Sequence, residues 1–202
     1  ITTNLTAYNG VIHVIDKCLA PDNLPGAHVM QVITESPNHE ILRNAIIELG
    51  LDDELSFQAT IDDSYDGPGP WTVFAPTDAA FQVFAEMMGM TINELLDSQF
   101  LYSIITQHII NGCVDDFNAF YEIDEYCPEP NPALVSTDIN SGTIVTNLDN
   151  EPLQFIVTDS TLSVIGQQNT VNVIVTDLLS YNGVVHVIDA VIEPKLPEIE
   201  PG

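Results

Sequence analysis

Tyr181-Asn182-Gly183-Val184-Val185-His186-Val187-Ile188-Asp189 is written into this chain twice. Its near copy, Tyr8-Asn9-Gly10-Val11-Ile12-His13-Val14-Ile15-Asp16, opens at position 8 instead of position 181, a displacement of 173 residues. The match spreads outward: Ile1, Thr3 and Leu5 recur as Ile174, Thr176 and Leu178, and Pro21 recurs as Pro194. A repeat of that length is the size of a domain, not of a solenoid unit. Asn-Gly is the signature of a tight turn with positive φ, and the β-branched run behind it reads as a buried strand. A compact domain has one place for such a strand. Residues 1–25 are therefore expected to be either the tail of a preceding, similar domain in a tandem array or a strand donated to a neighbouring subunit, which would build a polymer.

The whole chain holds 202 residues, enough for one domain of ordinary size beside that extra segment. Hydrophobic residues make up 45%, so a sizeable core can form. Charge is the anomaly: Lys17, Arg43 and Lys195 face 30 acidic residues, a formal net charge of −27. Such a surface repels phosphate, which excludes nucleic acid and anionic membranes as expected partners. Self-repulsion also favours a medium in which salt screens the charge or divalent cations bind it. No apolar run reaches the ~20 residues that a membrane helix needs, so no membrane insertion is expected. A chain that opens on Ile1 without a leader is expected to be processed or excerpted.

Cys113 and Cys127 bracket an irregular acidic segment, Val114 to Tyr126. A disulfide closing a loop of that size would contribute about 3 kcal/mol, and it would place the chain in an oxidising compartment; two free thiols are the alternative. Cys18 is then left over, with Val191 at the matching repeat position, so it is either buried as a small hydrophobe or bonded to another chain or domain. Asn4-Leu5-Thr6 is the one glycosylation sequon, used only if the chain is secreted.

Between the two copies, Ala20 to Gly26 has linker composition. Ser36 and Pro37 predict a helix start, with Ile41, Leu42, Ala45, Ile46 and Leu49 on its apolar face and Gly50 as its stop. An acidic stretch from Asp52 to Pro70 reads as a surface excursion. Trp71 to Pro76 reads as a strand ended by proline, after which Thr77 or Asp78 caps a helix that turns Phe81, Phe84, Ala85 and Met88 inward. Thr91 and Glu94 have capping-box spacing. Asp97-Ser98 predicts a further helix, with Leu101, Ile104, Ile105 and His108 on one face. Thr143 to Leu148 and Leu153 to Thr158 predict a hairpin around Asp149 to Pro152. Leu162 to Ile165, Thr170 to Leu179 and the repeated strand complete the set. Helices first and strands after predict an α+β fold with the helices segregated in the N-terminal half.

Thr72-Val73-Phe74-Ala75-Pro76-Thr77-Asp78-Ala79-Ala80-Phe81 resembles the first signature of the fasciclin domain, and Asn182 to Asp189 resembles its closing one. The resemblance covers roughly residues 26–194, with residues 1–25 similar to the closing motif of another such domain and 195–202 an acidic, proline-containing linker. It implies a wedge-like α+β fold and a non-catalytic extracellular protein of adhesion or matrix, with neighbouring fasciclin-like domains, identical subunits, or cell-surface or matrix components as partners. The residues that carry it are Thr72, Phe74, Pro76, Thr77, Asp78, Phe81, Asn182, Gly183, His186 and Asp189. In the first copy Tyr8, Asn9, Gly10, Val11, His13 and Asp16 are the candidate assembly strand. The family often has a Tyr-His pair between its signatures, and here Gln107-His108 stands in that place. The His matches and the Tyr does not, so His108 is a candidate adhesion or packing residue with its packing role the better supported.

His13 and His186, each set among aliphatic residues, read as core histidines bonded to backbone. His28 and His39 have no second ligand at zinc spacing. Asp62-x-Ser64-x-Asp66-Gly67 begins like a calcium loop but has Val73 where the bidentate Glu belongs, so Asp62, Ser64 and Asp66 are weak calcium candidates and calcium is the one cofactor left open. No nucleophile motif or phosphate-cradling loop is present, and no catalysis is expected. The alternative function is an acidic extracellular module that binds calcium or a small ligand.

Overall fold

The computed structural model describes residues 27–56, 70–112 and 133–195, together with the backbone of β1 (Leu5–Ala7) and β2 (Gly10–Ile12). After β1 and β2 come the helices: α1 (Val29–Glu35), α2 (Glu40–Glu48), α3 (Asp52–Leu55), α4 (Asp78–Met88), α5 (Ile92–Leu96) and α6 (Leu101–Thr106). Only β3 (Trp71–Pro76) interrupts them. The strands β4 (Ile109–Asn111), β5 (Ile144–Thr146), β6 (Pro152–Val157), β7 (Leu162–Ile165), β8 (Thr170–Ser180) and β9 (Gly183–Ile188) follow. The fold is α+β, as the order of signals predicts.

β3 to β9 form one seven-stranded sheet in the order β4-β3-β9-β8-β7-β6-β5, antiparallel throughout except where β9 runs parallel to β3. β3 and β9 are central and buried along their whole length, which is why both read as continuous apolar runs without alternation. Trp71, Val73 and Ala75 of β3 face the helical core with Ile33, Leu42, Ile46, Phe81 and Ile105. Phe74 points the other way, into a second core with Phe155, Val164, Ile188 and Ile192. Burying each such side chain contributes about 2 kcal/mol, so the sheet centre is the most stabilised part of the molecule.

Several expectations are corrected. The helix expected from Ser36 starts at Glu40, because Ser36 ends α1, a helix the sequence did not announce. The acidic excursion begins with the short helix α3, whose Leu55 is buried. α6 starts at Leu101 rather than Asp97 and stops at Thr106, so His108 lies in the turn before β4 and not on the helix face. Thr77 caps α4 through Ala80 N–H (3.2 Å), and Thr91 and Glu94 form the expected capping box.

The turn at Asn182-Gly183 is the instructive correction. Neither residue has positive φ; among the described residues that conformation belongs to Gly50, Gly89, Gly142, Asn150 and Asp177. Glycine is needed at 183 for space instead, since a Cβ there would stand 2.1 Å from the Trp71 carbonyl oxygen.

Candidate functional site

The closing turn is the hub of the domain. Asn182 is buried, its Oδ1 accepts from Val29 N–H (2.9 Å), and its Nδ2 donates to the Leu55 carbonyl (3.0 Å). Its own carbonyl accepts from Trp71 N–H (2.8 Å). One side chain thus satisfies the start of α1 and the end of α3, while its backbone registers β3 on β9. That is why the sequence needs a small amide here: it offers one acceptor and one donor in opposite directions.

On the far side of β9, His186 is buried and stacks on Phe74 with ring centroids 5.4 Å apart. Its Nε2 donates to the Leu134 carbonyl (2.7 Å) and its Nδ1 accepts from Asp177 N–H (3.3 Å), a pattern only the neutral ring can make. Burial holds it below the ordinary histidine range, against the Leu134 bond and the Asp177 carboxylate. Asp177 sits at an irregularity where β8 slips against β9, with φ 60°. Its carboxylate accepts from Ser136 N–H (2.7 Å) and from the Ser136 hydroxyl. Burial alone would raise Asp177, but the Ser136 bonds and His186 hold it below the usual carboxylate range. With Leu134 N–H donating to Thr72 Oγ1 (2.8 Å), residues 134–136 are fastened across β3, β9 and β8.

Asp177→Ala is expected to cost about 2 kcal/mol in denaturant unfolding, from the stranded Ser136 groups and an alanine forced to positive φ. Asp177→Gly relieves the second cost, and a smaller loss for it than for alanine is the check.

His108 is wholly buried: Nδ1 donates to the Ile104 carbonyl (2.7 Å) and Nε2 accepts from Ile192 N–H (2.8 Å). It ties α6 to the segment leaving β9, and burial lowers its pKa to about 4 despite the Ile104 bond. Beside it Gln107 is also buried, accepting from Asn147 Nδ2 (2.9 Å) and donating to Asp149 (3.1 Å). Asn147 in turn caps the β5–β6 turn by accepting from Asp149 and Glu151 N–H. The Gln-His pair is therefore internal wiring, with neither ring nitrogen of His108 facing solvent.

The first signature works in the same way. Thr77 caps its own helix, whereas Asp78 reaches across to α2 and accepts from Glu40 N–H (3.2 Å) and Ile41 N–H (2.8 Å). Asp189 clamps β8 by accepting from Asn172 N–H and Asn172 Nδ2, both at 2.8 Å. Phe74 and Phe81 are buried in the two opposite cores.

A family model described as "Fasciclin domain" matches residues 37–194. The chain belongs to the fasciclin domain family. Its relatives include Stabilin-2 of Rattus norvegicus, 29% identical over 129 residues, which are 64% of this chain and 7% of that protein. Another is the transforming growth factor-beta-induced protein ig-h3 of Sus scrofa, 25% identical over 189 residues, 93% of this chain and 22% of that protein. This fasciclin chain thus spans less than a quarter of the length of either relative. Among solved structures, the FAS1 domain pair of the insect cell adhesion molecule fasciclin I matches with a TM-score of 0.63 at 18% identity, covering 96% of this chain and 58% of that one. At that identity the match shows the fold.

The signature residues Thr72, Phe74, Pro76, Thr77, Asp78, Phe81, Asn182, Gly183, His186 and Asp189 are brought together around β3 and β9. Asn4, Tyr8, Asn9, His13, Asp16, Cys18, Asp62, Ser64, Asp66, Cys113 and Cys127 lie outside the described residues; of Gly10 and Val11 the backbone alone is described. Among the described residues no three His, Cys, Asp or Glu side chains are grouped to hold a metal ion. Sequence reasoning missed Asp177, Asn147 and Gln107 as structural residues. For Asp177 the signal was present, a lone acid inside the apolar run from Thr170 to Leu179; for the other two no local pattern exists.

Proposed function

We propose that residues 27–194 are one link in an extracellular array of similar modules joined end to end, with an adhesive or matrix role and no catalysis. The observation that supports it most is the register of the two copies. β1 pairs with β2 as Leu5↔Ile12, Thr6↔Val11 and Ala7↔Gly10, and β8 pairs with β9 as Leu178↔Val185, Leu179↔Val184 and Ser180↔Gly183. Each pair is the other displaced by the repeat length. The first copy is thus a closing hairpin of the same kind, already paired with itself, as the tail of a preceding module would be and a lone donated strand would not.

The path of the chain supports an extended array. It enters beside Tyr181, whose N–H bonds the Ala27 carbonyl (3.0 Å), and leaves beside Asn169, which bonds Val191 (2.8 Å) and Glu193 N–H (3.0 Å). Those points lie at opposite ends of β8, roughly 30 Å apart at strand rise. The relationship to fasciclin I, named as a cell adhesion molecule, supports the adhesive side of the reading. In place of an acid-base pair, His108 and His186 are neutral rings, each bonded at both nitrogens to backbone groups.

Deleting residues 1–20 and measuring mass by light scattering tests it. The array reading expects a monomer both before and after, lighter only by the deleted residues. A multimer that falls to monomers on deletion would replace it with strand donation and a filament assembled through residues 1–20.

A further inference from the structure

Asn-Gly occurs three times in the chain, as Asn9-Gly10, Asn111-Gly112 and Asn182-Gly183. Of all residues that can follow asparagine, glycine leaves its nitrogen the freest to attack the side chain, because it has no Cβ. That nitrogen bonds to the asparagine Cγ, gives its proton to water and expels Nδ2 as ammonia, which leaves a five-membered imide. Water then opens the ring at either carbonyl. Cleavage at Cγ yields aspartate. Cleavage at the backbone carbonyl yields isoaspartate, with the main chain rerouted through Cβ and Cγ. Water is the one co-reactant and ammonia the one leaving group.

The fold denies each of these steps to Asn182. Its Nδ2 donates to the Leu55 carbonyl (3.0 Å), while its Oδ1 accepts from Val29 N–H (2.9 Å) and from the Ser180 hydroxyl (3.3 Å), so the amide is held at both ends. The residue is buried, which keeps out the water that must take the proton and open the ring. Gly183 cannot swing its nitrogen onto Cγ either. It stands in register between Trp71 and Ser180, packed so closely that a Cβ would lie 2.1 Å from the Trp71 carbonyl oxygen. Asn111 is placed differently: it is half-buried and ends the three-residue edge strand β4, after which Gly112 N–H donates to the Pro70 carbonyl (2.9 Å). The end of an edge strand opens at far lower cost than the centre of a sheet.

We propose that Asn182 is a modification site that opens only when the domain unfolds, and that its deamidation makes the unfolding permanent. Neither product fits the hub. Aspartate has no donor for the Leu55 carbonyl and sets an unpaired carboxylate against it in a buried place. Isoaspartate lengthens the main chain by one atom just before Gly183, where β3 leaves no room, and turns the carbonyl that accepts from Trp71 N–H into a side-chain carboxylate. A domain that opens briefly therefore returns to its fold, whereas one that stays open long enough for the imide to form does not. The aspartate at 182 is a one-way record of time spent unfolded.

The test incubates the whole protein at neutral pH, in buffer and in guanidinium chloride, and follows Asn182 and Asn111 by peptide mass spectrometry. In denaturant the two sites should react at like rates. In buffer Asn182 should slow by about a thousandfold or more, because it waits for the whole domain to open, and Asn111 by much less. A partly reacted denatured sample is then returned to buffer and separated by size exclusion into refolded and unfolded fractions. Molecules modified at Asn182 should be lost from the refolded fraction. A rate at Asn182 in buffer equal to that in denaturant, or as fast as that of Asn111 in buffer, would overturn the gating. Modified Asn182 in equal proportion in the two fractions would overturn the permanence.

Discussion

Gly183→Ala is expected to bring the domain close to unfolding at ordinary temperature. A Cβ at 183 would lie 2.1 Å from the Trp71 carbonyl oxygen, 2.8 Å from its carbon and 2.9 Å from its nitrogen. All three are backbone atoms of β3, which is fixed on both flanks by β4 and β9. Nothing flexible can yield, so relief requires the parallel pair to separate, and Asn182 would lose its grip on Trp71 as it did. We expect a loss of about 4 kcal/mol or more, most of the stability of a domain this size. Gly89→Ala is the control: it carries a positive φ of 68° with nothing within 4 Å of the added carbon, so it should cost only about 1 kcal/mol. A denaturant melt of the two variants decides. Equal, small losses would show that β3 and β9 can part without cost.

Acidification is expected to weaken the domain through His108. The folded ring titrates at about 4 because burial disfavours its charged form and Nε2 must stay bare to accept from Ile192 N–H. In the unfolded chain it titrates near 6.5. Above that value neither state carries the proton and His108 contributes no pH dependence. As pH falls, the unfolded state takes up the proton first, so stability is lost progressively between about pH 6.5 and pH 4, by about 3 kcal/mol in all. The carboxylates titrate in part of the same window, so the measurement is the difference between the parent and His108→Gln across pH 7 to 4. The parent should lose about 3 kcal/mol more than the variant. Parallel losses, or an imidazole that titrates by NMR near pH 6, would remove His108 as the cause.

The strongest parts of the fold were legible because they obey local rules. β3 ends on Pro76, α4 begins at a threonine cap, α5 opens with a reciprocal box, and β6 to β9 are short apolar runs between turn residues. What escaped obeys tertiary rules instead. α1 is rich in β-branched residues and capped by the ring of His28, whose Nδ1 accepts from Gln31 N–H (3.1 Å). Its helicity comes from packing on β8 and β9 and from Asn182, none of which is visible nearby in sequence. β4 is continuous with the apolar run of α6, and only pairing with β3 breaks that run into two elements. The hub residues were found and their chemistry misread. Asn182-Gly183 looked like a turn chosen for its backbone angles, whereas the asparagine is a buried connector and the glycine a gap left for a neighbouring strand. Asp78 looked like a cap for its own helix and serves another.

A chain that comes in at one end of β8 and goes out at the other also decides how the module answers to pulling. Tension applied between residue 27 and residue 194 draws β9 lengthwise from between β3 and β8, and the hydrogen bonds on both its flanks lie across that direction. They are strained together in shear, so rupture demands that the ladders fail as a set, which is the behaviour expected of a tie and not of a zip.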